Sequence, residues 1–223
     1  MSEDSSRIEV LDHGFVRLVD VMGSDLSVVN AARISFANES QTFQDRDKKL
    51  IHYLWTHRHT SPFRHASLQI HLRAPLFVLR QWMKHQIGCA WNEVSGRYVQ
   101  FDAQFYHPDQ WREQHESNKQ GSKGEISSQA LANRLYKESL DLALMRYHEL
   151  LELGVCKEQA RMLLPLSLYS ECYWTVSLQA LMHFLELRED HHSQWEIQEY
   201  ARAVRQLATP HFPICLSLGR EGH

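Results

Sequence analysis

Ser67-Leu-Gln-Ile-His-Leu-Arg-Ala-Pro-Leu-Phe-Val-Leu-Arg-Gln-Trp-Met-Lys-His-Gln-Ile-Gly-Cys-Ala-Trp-Asn-Glu-Val-Ser-Gly-Arg-Tyr98 contains two periodicities in succession and then an aperiodic polar stretch. Ser67 to Leu72 alternates polar and apolar side chains, the repeat of a strand buried on one face. Pro75 then stands where a helix accepts a proline as its first residue. Beyond it Leu76, Leu79, Trp82 and Met83 share a stripe, and Gln81, Lys84 and His85 fall on a neighbouring polar face at i, i+3, i+4. Gly88 and Gly96 bracket what reads as an irregular loop holding Asn92, Glu93 and Ser95. A strand, a helix and a polar loop in succession predict an α+β fold. The amides, cations and indoles gathered here suggest a grip for an anion together with a flat polar ring.

Working outward, Ile8 to Met22 is an apolar opening segment ended by Gly23-Ser-Asp, and Leu26 to Ile34 has helical spacing behind Asp25 as a cap. Asp45 to His57 reads as a helix because Leu50, Ile51, Leu54 and Trp55 share one face. Gln110 to Gln129 turns polar and aperiodic, a surface excursion open to disorder. Asn133 to Leu153 is a long helix stopped by Gly154, and Glu158 to Leu164 continues helically up to Pro165. Leu168 to Val176, rich in Tyr, Trp, Thr and Val, fits a strand or a helix. Leu178 to Leu187 and Ser193 to Leu207 are helices. With no repeat or linker, residues 1–223 are expected to form one α+β domain, a central, mostly antiparallel sheet flanked by helices.

Composition narrows the partners. Twenty-four basic against 27 acidic residues give a formal charge of -3, without the basic field that nucleic-acid binding needs. Four cysteines without paired spacing, a polar N-terminus and no apolar run near the roughly 20 residues of a bilayer span predict a soluble, cytoplasmic protein without a membrane partner. Phosphate-binding glycine loops are absent, so cationic side chains would do that work. Lys84, Arg97, Arg161 and Arg188 are the candidates, each within or beside apolar sequence, although snorkelling or surface pairing would explain any one alone. Fifteen histidines raise a metal-dependent hydrolase as an alternative, but His57, His59, His65 and His71 do not aim at one point, and no metal is expected. Ser95 and Cys89 lack the settings of specific nucleophiles.

These residues resemble the flavin-dependent thymidylate synthases over nearly the whole chain. The family's Arg-His-Arg followed by Ser within Asn-Glu-x-Ser-x-Arg-Tyr has its counterpart in Lys84-His85-Gln86 and Asn92-Glu93-Val94-Ser95-Gly96-Arg97-Tyr98. Further matching blocks are Val21 to Ser27, Ala31 to Phe36, Ser61-Pro62-Phe63, Ala160-Arg161, Leu164-Pro165, Trp174-Thr175, Leu187-Arg188 and Gln194-Trp195-Glu196-Ile197. The resemblance implies a homotetramer with active sites shared between subunits around FAD. It implies reductive methylation of dUMP, with methylenetetrahydrofolate as carbon donor and NADPH as reductant. By position, Gln81, Lys84, Glu93, Ser95, Arg97, Arg161 and Arg188 would contact the nucleotide, Arg188 and Ser95 acting in catalysis. Ser35, His59, Ser61, His85, Gln86, Ile87, Asn92, Ser177, Gln179 and His183 would contact the flavin.

The chain departs from the family pattern at Lys84, which lacks arginine's planar fork, and at Gln86, which lacks the charge. Arg64 replaces a common glutamate, and Ser177 and Gln179 replace Asn and Arg of other members. Two alternatives follow from these departures: a paralogue methylating another uracil nucleotide such as UMP, and a nucleotide-binding protein without catalysis.

Overall fold

The computed structural model describes residues 6–98, 103–116 and 121–220. The opening apolar segment is two strands, β1 (Arg7–Val10) and β2 (Gly14–Met22), joined by a turn in which Leu11 takes φ 59°. Gly14 begins β2 because a Cβ there would meet the carbonyl oxygens of Val10 and Arg73 at 2.7 and 2.8 Å, as well as the Tyr200 hydroxyl. Helix α1 (Asp25–Arg33) has Ser24, rather than Asp25, in the capping position. Asp25 is buried instead, its carboxylate accepting the N–H groups of Ile214 and Cys215, so a group expected to close a helix locally joins the two ends of the chain. A 3₁₀ turn (Ile34–Phe36), helix α2 (Asp45–Thr56) and a second 3₁₀ turn (Ser61–Arg64) lead to β3 (Ser67–Pro75).

The alternation in β3 is realised: Leu68, Ile70, Leu72 and Ala74 are buried, while Ser67, Gln69, His71 and Arg73 are not. Helix α3 (Leu76–Trp82) stops a turn earlier than its stripe implies, leaving Lys84 and His85 beyond it. The residues expected to be loop between Gly88 and Gly96 include β4 (Cys89–Glu93). Beyond them the polar excursion contains a hairpin, β5 (Arg112–Gln114) and β6 (Ser122–Glu125), held by Trp111, whose indole N–H donates to Asn133 at 2.7 Å. Residues 117–120 of that excursion lie outside the described residues. Helix α4 (Gln129–Glu152) starts four residues before its apolar spacing becomes legible. The continuation after Gly154 is a one-turn helix α5 (Lys157–Ala160) and a 3₁₀ turn (Arg161–Leu163).

The ambiguous Leu168 segment is a strand, β7 (Tyr169–Ser177), followed directly by helices α6 (Leu178–Arg188) and α7 (Trp195–Ala208). Strand order in the main sheet is β1-β2-β3-β7-β4, all antiparallel. Cys172, Trp174 and Val176 of β7 are buried on the same side as the β3 apolar set. Trp82 joins the sheet to the helices: it stacks on Phe184 with centroids 4.8 Å apart and meets Trp174 edge-on at 5.2 Å. Such aromatic contacts add to the area they bury, so α3, β7 and α6 form one rigid unit. The result is a single α+β domain, and no helix among the described residues is long and apolar enough to cross a membrane.

Candidate active site

β4 decides where the candidate residues go. It pairs with β7 from Cys89 opposite Val176 to Glu93 opposite Cys172. At about 3.3 Å per residue its two ends stand roughly 13 Å apart. The irregular-loop expectation failed because this pairing is non-local, and because Trp91 stacks on Trp174 at 5.4 Å.

At the first end, the Gly88 carbonyl accepts the Ser177 N–H at 2.9 Å. Gly88 has φ 73°, and a Cβ there would lie 2.6 Å from Ser177 Oγ, so only glycine lets the turn approach the start of α6. Ser177 in turn accepts the Ala180 N–H and opens α6. Gln86 and Ile87 stand exposed on this turn, Ile87 at 94%. Gln179 and His183 come from α6, and the His183 ring lies 5.8 Å from His85. Ser61 lies on the 3₁₀ turn leading to Ser67, which pairs with Ser177. Most of the expected flavin set thus gathers at one end of the sheet. Exposed Ser35 and His59 make no hydrogen bond or ring contact with the 85–87 turn among the described residues, and Asn92 lies out along β4. Amides, hydroxyls and imidazoles around an exposed apolar side chain fit a flavin, whose apolar ring has a polar rim.

Behind this turn the expected polar helix face does not form. Arg188 donates from Nη2 to the Gln81 carbonyl at 3.3 Å and from Nε to His85 Nε2 at 3.0 Å. The freed end of α3 is therefore satisfied by a guanidinium, which draws His85 inward and leaves Lys84 exposed. Burial, then the charge of Arg188, then His183 pull the His85 pKa down from 6.5 to about 4. His85 is a neutral acceptor at pH 7. Burial also lowers the Arg188 pKa from its ordinary value. Gln81 completes the cluster, its Nε2 donating to Gln194 Oε1 at 2.5 Å. Gln194 was quoted above only as part of a matching block; its spacing from Gln81, 113 residues, carried no signal of contact.

The second end opens into a cleft of about 700 Å³ bordered by Glu93, Ser95, Arg97, Glu158 and Arg161, with Leu76 in its wall. Ser170 donates to Glu93 at 2.7 Å, fixing that carboxylate. Ser95 Oγ accepts from the Arg97 N–H at 3.3 Å and from Arg97 Nε at 3.4 Å, while Arg161 Nε donates to the Glu158 carbonyl at 3.3 Å. Neither guanidinium forms an ion pair among the described residues, which leaves two cations at one cleft for a ligand's oxygens. Glu93, Ser95, Arg97 and Arg161 are thus together, and Gln81 and Arg188 are together elsewhere. A further cleft of about 350 Å³ contains Tyr106, Arg112 and Glu196, but Arg112 already neutralises Glu196 at 2.7 Å.

Comparison with known proteins places the chain in a family. The family model described as thymidylate synthase complementing protein matches residues 17–214. A flavin-dependent thymidylate synthase of Kosmotoga olearia is 44% identical over 211 residues, covering 93% of this chain and 90% of that protein. One of Thermus thermophilus is 46% identical over 208 residues, covering 93% of this chain and 76% of that protein. Among solved structures, a UMP/dUMP methylase, PolB, from Streptomyces cacaoi bound with 5-Br dUMP superimposes with TM-score 0.84 at 34% identity, covering 95% of this chain and 96% of that one. The same methylase bound with 5-Br UMP gives TM-score 0.82. With the motifs, the sheet order and the relatives in agreement over nearly its whole length, the chain belongs to the flavin-dependent thymidylate synthase family.

Proposed function

We propose that this protein forms dTMP by FAD-dependent reductive methylation of dUMP, with methylenetetrahydrofolate as carbon donor and NADPH as reductant. The observation that carries the reading is the pairing of an anion cleft holding Arg97 and Arg161 with a half-buried Arg188 held by neutral His85. Arg97 and Arg161 suit the nucleotide phosphate, since guanidinium forks match phosphate oxygens. Arg188 suits the uracil carbonyls, where a fixed cation stabilises charge as the ring polarises. Ser95 orients Arg97 and polarises the substrate rather than attacking it. FAD, when bound, supplies the redox chemistry. The 85–87 turn and the start of α6 offer it donors and acceptors without a required cysteine. We place the reaction in the cytoplasm.

The site is read as shared between subunits of a homotetramer. Support comes from large apolar side chains standing in water beside candidate residues: Phe36 next to Ser35, Ile87 next to Gln86, Tyr98 next to Arg97 and Met162 next to Arg161, each more than 70% exposed. Exposed apolar groups clustered at polar sites mark surfaces that another chain covers.

The test is purified protein assayed for bound flavin by visible absorbance, for dUMP-dependent NADPH oxidation, and for mass by sedimentation. Flavin without any response to dUMP or UMP would favour the nucleotide-binding reading without catalysis. A second acceptor, UMP, is raised by the structural neighbour, whose description includes both UMP and dUMP. Competition between dUMP and UMP for methylation measures that preference. Family membership leaves no ground for the histidine-based hydrolase.

A further inference from the structure

We propose that Gln194 is a positioning residue for the nucleotide site, fixing the side-chain amide of Gln81 so that its carbonyl oxygen is the free acceptor. The inference rests on the reading of Gln81 as a nucleotide contact and adds a residue that does not touch the substrate itself.

Gln81 is held twice. Its main-chain carbonyl takes Arg188 Nη2 at 3.3 Å, and its side-chain Nε2 donates to Gln194 Oε1 at 2.5 Å. Oε1 of Gln81 has no partner among the described residues and is not among the buried polar atoms lacking one. An amide whose nitrogen is already engaged offers the oxygen outward. An outward acceptor recognises an N–H, and the imide N–H is the donor that a uracil ring carries on its pairing edge.

The backbone that carries Gln194 is well anchored, which a positioning residue requires. Gln194 precedes α7, and its main-chain carbonyl accepts the Gln198 N–H at 3.2 Å. Two residues on, buried Glu196 is bound by Arg112 at 2.7 Å and by the Tyr106 hydroxyl at 3.3 Å. Between them Trp195 lies under the Arg112 guanidinium, 5.3 Å from its centroid. The start of α7 is thus fixed by the hairpin and by Tyr106, and Gln194 transmits that fixed point to α3. An unpartnered glutamine side chain would sample several rotamers; the bond to Gln194 holds this one with Nε2 toward α7 and Oε1 away from that bond.

The experiment compares FAD-loaded wild type, Gln194→Leu and Gln194→Glu. A carboxylate at 194 can only accept, so it preserves the hydrogen bond from Gln81 Nε2, whereas leucine fills the space without accepting. Titration calorimetry with dUMP and steady-state kinetics are the readouts, with flavin absorbance and melting temperature as structural controls. Gln194→Leu should raise the Kd and KM for dUMP by about fivefold to tenfold, the worth of one neutral hydrogen bond. Its kcat should stay within about twofold. Gln194→Glu should restore both constants to within about twofold of wild type. Equal dUMP affinity in wild type and Gln194→Leu would overturn the inference, as would Gln194→Glu being as damaged as Gln194→Leu. If Gln194→Leu fails to hold flavin, Gln194→Glu decides alone: an unchanged KM supports the role and a tenfold rise removes it. Wild type that takes no dUMP would sink the functional reading and this inference with it; wild type that binds dUMP while Gln194→Leu binds equally sinks only the inference.

Discussion

The two ends of β4 are one short strand apart, yet the chain completes one and leaves the other open. At Gly88 the backbone is bonded to Ser177, His85 accepts from Arg188, and Gln81 is held at both its carbonyl and its amide. At Glu93 the strand runs into a cleft where Arg97 meets Ser95 Oγ and the Tyr98 ring, Arg161 meets a main-chain carbonyl, and neither forms an ion pair among the described residues. The difference teaches which groups are preorganised by folding and which stand free for a ligand. Preorganised cations act on charge that develops during reaction. Open ones hold the substrate's fixed charge. The comparison therefore separates catalysis from affinity, and substitutions at the two ends should differ in kind.

The largest effect is expected at Arg188. Arg188→Ala removes the cation held at the closed end and should reduce dTMP formation at least about a hundredfold, the loss typical of one preorganised donor. Melting should fall only modestly, by about the worth of the two hydrogen bonds to His85 and the Gln81 carbonyl, and flavin absorbance reports whether the site still assembles. Unchanged turnover would remove Arg188 from the site and erase the distinction between the ends.

At the open end, Arg97→Ala and Arg161→Ala should each raise the KM for dUMP by about tenfold to a hundredfold, the range for losing a charge-assisted hydrogen bond. Melting temperature should hardly move, since both side chains are exposed and neither forms an ion pair among the described residues. Steady-state kinetics on both variants check this. A fall in kcat with constant KM would show that these arginines act during reaction, which would merge the two ends again.

Much of this architecture is written locally, and the exceptions share a cause. β3 is legible because one face packs on helices and the other does not, which prints a period of two on the sequence. β4 has no buried position in the monomer and sits between glycines, so nothing in its five residues separates strand from loop; β7 makes it a strand. The end of α3 is equally hidden. Met83-Lys84-His85-Gln86 is compatible with helix, and the observed stop coincides with Arg188, over a hundred residues away, donating to the Gln81 carbonyl that the Lys84 N–H also reaches. Among the candidate site residues, the arginines and Ser95 are readable in the sequence as chemistry, while the inward turn of His85 and the bond from Gln81 to Gln194 depend on tertiary placement. Asp25 shows the same limit, since a cap and a buried tie look alike in sequence.

A smaller effect isolates the closed end from any ligand. His85 has a folded pKa of about 4 against 6.5 ordinarily, so the folded state resists a proton that the unfolded state accepts. The stability this group contributes is complete above about pH 6.5 and is lost as pH falls from there through about 4. His85→Gln keeps an acceptor for Arg188 but cannot titrate. Melting curves taken from pH 7 to pH 4 should show wild type losing ground to His85→Gln across that window. Parallel curves would mean that His85 is not held neutral by the fold.

The smallest effect is expected where the chain departs from its family. Lys84 and Gln86 flank His85 on the closed turn, but both side chains point to solvent while His85 turns inward. Their replacement by arginine, singly or together, adds guanidinium forks without touching the bonds that hold the turn. The variants Lys84→Arg and Gln86→Arg should therefore keep kcat within about twofold and tighten nucleotide or flavin binding by no more than about tenfold, the scale of one added charged contact. Flavin titration and dUMP kinetics on the double variant measure both. A large loss of activity would carry more weight than a gain: it would mean that the exposed positions beside His85 are fitted to this chain's own lysine and glutamine, and that the turn is specified by its departures as much as by the histidine between them.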